Sequence, residues 1–444
     1  MKRFILSSVI LAAGAFAASA KEGEIKFTEY DLPNGLHVIL HEDHSTPIVN
    51  VSVMYHVGSK NEDPQRTGFA HFFEHLMFEG SDNIKRGEYM KLVQSNGGVL
   101  NANTSQDRTY YFETMPSNQT ELALWMESER MLHSKIDSVG IETQRKVVKE
   151  EKKQSYDNRP YGHLIESVFT NAYTTHPYKW MPIGSAQYID QASYDEFKQF
   201  YKTFYVPNNA VLVVAGDINP AKTKEWVEKY YGSIPKGTNP IPRPKEVEPA
   251  QTAEKRVNFY DNVQLPAVIL AYHGPKMGSD DFYALNLLNQ LLSQGASSRF
   301  QKQIVDKDQK AVAVGSFAFP LEDPGLVMCY GIGNMGVSPE DLEKAMDTEI
   351  EKVKTGEISA EEFTKLQNQA ETDLVADNAK IAGIAENLAS SYTYFHNTSL
   401  VNSQLEKYQK LTIADLKRVA NQYLNKNNRT VVYYLPKSME TKKP

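Results

Sequence analysis

The sequence predicts an α+β protein of two homologous domains, each a mostly antiparallel β-sheet with helices packed on one face. The repeated order of elements carries that expectation. Strand-like alternation opens each half, a helix-like segment follows, and a hydrophobic strand after an Asn-rich turn closes it. Length agrees: 444 residues are too many for one simple core. So does composition, since 41% hydrophobic and 23% charged residues suit a globular protein rather than a disordered one.

The elements follow in order. Lys2 and Arg3 precede the apolar run Phe4 to Ala17, and Ala18-Ser19-Ala20 supplies the small residues of a cleavage site. Residues 1–20 therefore read as a signal peptide, and the mature protein is expected to be periplasmic or secreted. The run is shorter than the roughly 20 residues a bilayer span needs, and no later stretch is apolar enough, so no membrane span is expected. The first domain, 21–234, opens with strands at Leu36–Leu40 and Ile48–Tyr55. It continues with a helix at His71–Phe78 and closes on Ala210–Gly216 after Pro207-Asn208-Asn209. Pro235, Pro240, Pro242, Pro244 and Pro249 then interrupt all periodicity. Proline lacks the amide donor and favours extended backbone, so 235–250 reads as a linker. The second domain, 251–437, repeats the plan with strands at Arg256–Tyr260 and Ala267–Tyr272 and a helix at Phe282–Leu292. Its closing strand runs to Tyr434 after Asn425-Lys426-Asn427-Asn428. The charged tail 438–444 is expected to fray.

Charge and cysteine content narrow the function. With 48 Lys+Arg against 55 Asp+Glu the net charge is −7, which leaves no surplus for phosphates, so nucleic acid is not expected as a partner. Cys329 is the only cysteine, which excludes a disulfide framework and any Cys-rich metal site. A metal would have to rely mainly on His, Asp and Glu.

His71-Phe72-Phe73-Glu74-His75 offers those donors in the order H-x-x-E-H. Positions i and i+4 of a helix lie about 40° apart around its axis, so His71 and His75 present imidazoles to one point. Two neutral imidazoles form half a site for Zn²⁺, one ion per chain. Glu74 lies beside them, placed to act as general base toward a zinc-activated water. Phe69, Phe72, Phe73, Leu76 and Met77 read as core. A catalytic zinc needs a third protein ligand and an open position. Of the adjacent Glu150 and Glu151, which point about 100° apart on a helix, Glu151 shares its stripe with Val147, Val148 and Gln144. Glu150 shares a charged stripe with Lys146 and Lys153, so the helical face selects Glu151. The remaining histidines, among them His37, His41, His44, His56, His163, His273 and His396, show no second pair at ligand spacing and read as surface or core residues.

The segment Gly68-Phe69-Ala70-His71-Phe72-Phe73-Glu74-His75-Leu76-Met77-Phe78-Glu79-Gly80 resembles the active-site helix of the inverted-motif zinc peptidases, the family of pitrilysin, insulin-degrading enzyme and mitochondrial processing peptidase. The family's third ligand is a glutamate at a spacing that lands here on Glu151. Gly97 to Thr104, Asp157 to Gly162, His176-Pro177-Tyr178, Ile183-Gly184-Ser185 and Tyr205 to Asn209 extend the resemblance, and Ser297 to Phe300 is a fainter echo. The length is similar to that of short bacterial members, in which one chain forms half of a two-part clamshell. The resemblance implies an exported zinc endopeptidase cleaving peptides or unfolded segments, with substrate added as a strand along an edge matched by Asn101 and Ala102. Two positions depart from the pattern. Gln144 stands where many members carry a glutamate two helical turns before the zinc ligand, which leaves an orienting amide without charge. Val305 and Val312 stand where members often place an Arg and a Tyr that hold substrate. The resemblance thus implies a partner: a homologous subunit lacking the zinc motif in a heterodimer, with a homodimer as the alternative. The competing functional reading is a non-catalytic scaffold or peptide-binding subunit of a processing-peptidase-like complex.

Overall fold

A computed structural model of the chain describes residues 24–440. The expected signal segment 1–20 and residues 441–444 of the expected tail lie outside the described residues. The first half contributes β1 (Thr28–Asp31), β2 (His37–Glu42), β3 (Ile48–Tyr55), β4 (Val99–Thr104), β5 (Thr109–Pro116) and β6 (Ala210–Gly216). Among the described residues these form a six-stranded sheet in the order β1-β2-β6-β3-β5-β4. The second half contributes β7 (Lys255–Asp261), β8 (Ala267–His273), β9 (Ala311–Ala318), β10 (Leu326–Gly333) and β11 (Arg429–Pro436), ordered β7-β11-β8-β10-β9.

Without β1 the two orders correspond strand for strand. In each, the closing strand inserts between the first two, parallel to one and antiparallel to the other. Val38 stands opposite Leu212 in the first sheet, and Val257 opposite Val432 in the second. The repeated order read in the sequence is therefore one topology used twice.

The helices that matter to the site are α1 (Phe69–Leu76), α2 (Thr120–Leu132), α3 (Ser138–Lys152), α4 (Leu164–Ala172), α5 (Tyr194–Phe204), α6 (Asp280–Ser293), α7 (Pro339–Thr355) and α8 (Ile381–Phe395). Each sheet keeps its own helices on one face, α1 and α2 against the first, α6 and α7 against the second. The opposite faces are covered too, each by a helix from the other half. Leu164, Val168 and Phe169 of α4 pack with Ile269, Ala271, Met328 and Val432 of the second sheet. Ile384 and Leu388 of α8 pack with Ile39, Met54, Val211 and Val213 of the first. Every residue of β6 is buried, so the strand is apolar on both sides and needs cover on both. The halves share cores, and separating them would expose apolar sheet to water.

Polar contacts reinforce this exchange. Lys60, 4% exposed, reaches Asp107 at 2.8 Å and Glu322 of the second half at 2.6 Å. His56 Nε2 lies 2.8 Å from Glu322, and the Glu322 backbone amide donates to Asp107. Residues 235–250 form no helix or strand, yet they are not loose. The Glu248 carboxylate accepts from the backbone amides of Thr174, Thr175 and His176 at 2.8–2.9 Å. Arg243 donates to Asn209 Oδ1 at 2.6 Å. No helix among the described residues is long and apolar enough to cross a membrane.

The ion pairs between halves give the fold an acid dependence. Burial opposes ionisation of Glu322, but the His56 hydrogen bond and the Lys60 ammonium hold its carboxyl at about 2. Asp323 is held at about 2, first by the His176 hydrogen bond. Both groups titrate lower in the folded chain than in the unfolded one. Their contribution is therefore whole above about pH 4.5 and is lost as pH falls toward 2. Glu322→Gln is expected to lower Tm at neutral pH and to flatten the fall of Tm between about pH 5 and 3. Parallel Tm–pH curves for variant and wild type would contradict this assignment.

Candidate metal centre

The start of α1 has no side-chain cap of its own. Gly68 precedes it at φ 102°, a left-handed conformation that suits glycine. The cap comes instead from Glu62, whose carboxylate accepts from the amides of Gly68 at 2.9 Å and Ala70 at 2.8 Å. The Trp180 indole donates to the same carboxylate at 3.1 Å. Burial pushes the Glu62 carboxyl up to about 8, against these amides and the indole, which favour its charged form. Gly184 closes against this turn, where a Cβ would lie 2.3 Å from the Gly68 nitrogen. The Ile183-Gly184-Ser185 similarity thus has a steric cause.

One face of α1 is core, as its sequence suggests. Phe69 stacks on Phe197 of α5 at 4.6 Å between ring centroids, Phe72 meets the same ring at 4.7 Å, and Phe73 stacks on Phe200 at 5.4 Å. That packing turns His71, Glu74 and His75 to the opposite face, where all three are half-buried. Helix α3 packs across α1 and carries Glu151 one residue before its end. Its Val148 is buried and Glu150 is exposed, as the stripe argument requires, whereas Val147 turns outward at 43% exposure.

The donor atoms converge. His71 Nε2 lies 3.6 Å from Glu151 Oε1, and His75 Nε2 lies 3.1 Å from Glu151 Oε2. One donor atom from each of the three residues lies within 4.8 Å of the other two, and no other such group of His, Cys, Asp or Glu occurs among the described residues. Zinc bonds of about 2.0–2.1 Å in a tetrahedron set ligand atoms about 3.4 Å apart, so these donors fit the ion. His71 Nδ1 is buried without a hydrogen-bond partner. Burial and the neighbouring His75 push His71 down to about 4 against the pull of Glu151, which leaves its imidazole neutral and able to ligate near pH 7. The close approach of His75 lowers the Glu151 carboxyl, and His71 adds to this against burial. Glu74 differs. Burial raises its carboxyl and the Glu151 charge adds to this, while the Thr104 hydroxyl, His75 and Arg108 oppose.

The expected substrate residues fall on β4, which has no neighbour on its outer side among the described residues. Asn101 is exposed and Ala102 buried. The Ala102 amide donates to Asn101 Oδ1 at 2.9 Å, so the side chain covers an edge donor of its own strand. Gln144 turns its amide to Glu79 Oε1 at 2.5 Å. Val305 is partly buried against the second core, and Val312 is exposed on β9. Sequence reasoning missed Glu62, Thr104 and Arg108, because each acts across a turn or a strand end where no periodicity marks it.

Two sheets share one topology, and the first carries the helix with the H-x-x-E-H order. The chain belongs to the insulinase family, peptidase family M16: that family's description matches residues 37–181, and the description "Peptidase M16 inactive domain" matches 191–370. It is 35% identical to the zinc protease PqqE of Helicobacter pylori, over 98% of this chain and 99% of that one. A crystal structure of a protease from Helicobacter pylori matches with a TM-score of 0.89 at 32% identity, covering 93% of this chain and all of that one. The periplasmic protease PqqL of Escherichia coli shares the fold at TM-score 0.73 and 20% identity, with 92% of this chain matching 47% of that one.

The Glu62 cap is testable. Glu62→Ala leaves two buried amides of α1 without an acceptor and is expected to cost about 1–3 kcal/mol, read as a lower urea midpoint. An unchanged midpoint would remove Glu62 from this role.

Proposed function

We propose that the chain is an exported zinc-dependent endopeptidase that hydrolyses peptides or unfolded segments. The observation that carries this reading is the approach of His71, His75 and Glu151 to separations a single zinc ion would span. Zinc held there supplies Lewis acidity, which polarises a carbonyl and acidifies water. The chain's own residues do the rest. Glu74, on the same turn as the two histidines, takes the proton of the attacking water and hands it to the leaving amine. Its burial favours that role, because a raised carboxyl pKa makes the carboxylate a stronger base toward the attacking water. Thr104 and the charge of Arg108 temper that rise.

Substrate is proposed to add to β4 as a further strand. Its carbonyl would replace Asn101 Oδ1 on the Ala102 amide, giving affinity with little sequence preference. The match of this chain to about half of the PqqL chain supports a two-part chamber. A homologous subunit without the zinc motif would complete it, and a second copy is the alternative. The signal-like first twenty residues and the periplasmic relative support export. A non-catalytic scaffold would have no use for an intact donor set beside a poised carboxylate.

Glu74→Gln keeps shape and the metal donors while removing the base. It is expected to retain zinc and to lose about 10²- to 10⁴-fold in hydrolysis of a quenched fluorescent peptide. Full turnover in this variant would overturn the assignment of the base. Zinc binding without turnover in wild type, tested with the co-purifying subunit present, would favour the scaffold.

A further inference from the structure

The three donors come from two helices, so whatever fixes α1 against α3 also fixes the spacing of the donors. A run of polar contacts does this away from the donors. Glu79, just beyond the end of α1, is 6% exposed. One carboxylate oxygen accepts from Gln144 Nε2 at 2.5 Å, and the other pairs with Arg86 Nε. Arg86 also donates to Asp137 Oδ1 at 2.9 Å. Asp137 caps α3, accepting from the Gly140 amide at 2.8 Å. At that point the helices touch: a Cβ on Gly140 would lie 3.3 Å from Leu76 Cδ1 and 3.2 Å from Arg86 Nη2. The contacts thus run from the end of α1 to the first turn of α3, and again to Gln144 in its middle.

Polarity decides which residue can stand at 144. Gln144 precedes Glu151 by two turns, so the two share a face of α3. A buried carboxylate at 79 needs a donor, and the Gln144 amide supplies one. A glutamate at 144 would instead set two carboxylates 2.5 Å apart in a poorly solvated place, where like charges repel strongly. The amide is therefore matched to its neighbour. We propose that Glu79 and Gln144, braced by Arg86, are positioning residues that hold α1 to α3 and so set the distance from His71 and His75 to Glu151; the inference rests on the zinc reading above.

Zinc affinity of the full-length mature chain, measured by competition with a chromophoric chelator, tests this without reference to activity. Gln144→Glu is expected to weaken zinc binding by about 10- to 100-fold. The exchanged pair Glu79→Gln/Gln144→Glu restores one donor and one acceptor and is expected to recover most of that loss, which a general packing defect would not. Should Gln144→Glu fail to fold, Gln144→Ala removes the bond without adding charge and is expected to weaken zinc in the same direction. Wild-type affinity in the single variant, or no recovery in the exchanged pair, would overturn the inference alone. A wild-type chain that takes no zinc would overturn the metallopeptidase reading and this inference with it.

Discussion

Three donor atoms on two helices stand within 4.8 Å of one another, and the arrangement of charge makes that tolerable. His71 is kept neutral by burial, while the close approach of His75 favours an ionised Glu151. A divalent cation entering there would meet one negative charge and the neutral His71 nitrogen, with no proton to expel from His71 near neutral pH. Rigidity comes from beneath. The phenylalanines of α1 interlock with Phe197 and Phe200, and each such aromatic pair adds about 0.5–1.5 kcal/mol beyond its buried area. The imidazoles point where they do because the opposite side of the helix cannot rotate.

The exchange of helices between halves ties this centre to the edge strand β4. The tip of the β4–β5 hairpin carries Asp107, which takes the Lys60 ammonium, the Tyr178 hydroxyl and the Glu322 amide at once. Its neighbour Arg108 reaches Glu386 on α8 at 2.7 Å, and its charge is felt by Glu74. The edge strand, Glu74 and the contact between halves are thus linked through this hairpin. A displacement of the second half would move the hairpin and the field at Glu74 together.

Much of this was readable from residue order. The H-x-x-E-H spacing places two imidazoles on one turn by helical geometry alone, and the stripe argument separates Glu151 from Glu150 for the same reason. Its one slip is instructive. Val147 faces solvent, because the inward face of α3 is narrower than a ridge holding Val147, Val148 and Gln144 together. The reciprocal covering of the sheets went unread, although β6 carried a sign of it: Val211 to Ala215 is apolar without alternation, which marks a strand buried on both faces. Contacts such as Glu62 on α1 or Glu79 on Gln144 join residues whose separation along the chain follows no period. They become visible only when the chain is folded.

Zinc-edge X-ray absorption on the purified chain, beside its His71→Ala variant, reads the donor set itself. The account requires one zinc per chain, four-coordinate, with two imidazole nitrogens and oxygen at about 2.0–2.1 Å and no sulfur, and one imidazole fewer in the variant. A spectrum that His71→Ala leaves unchanged would place the ion elsewhere and contradict the account.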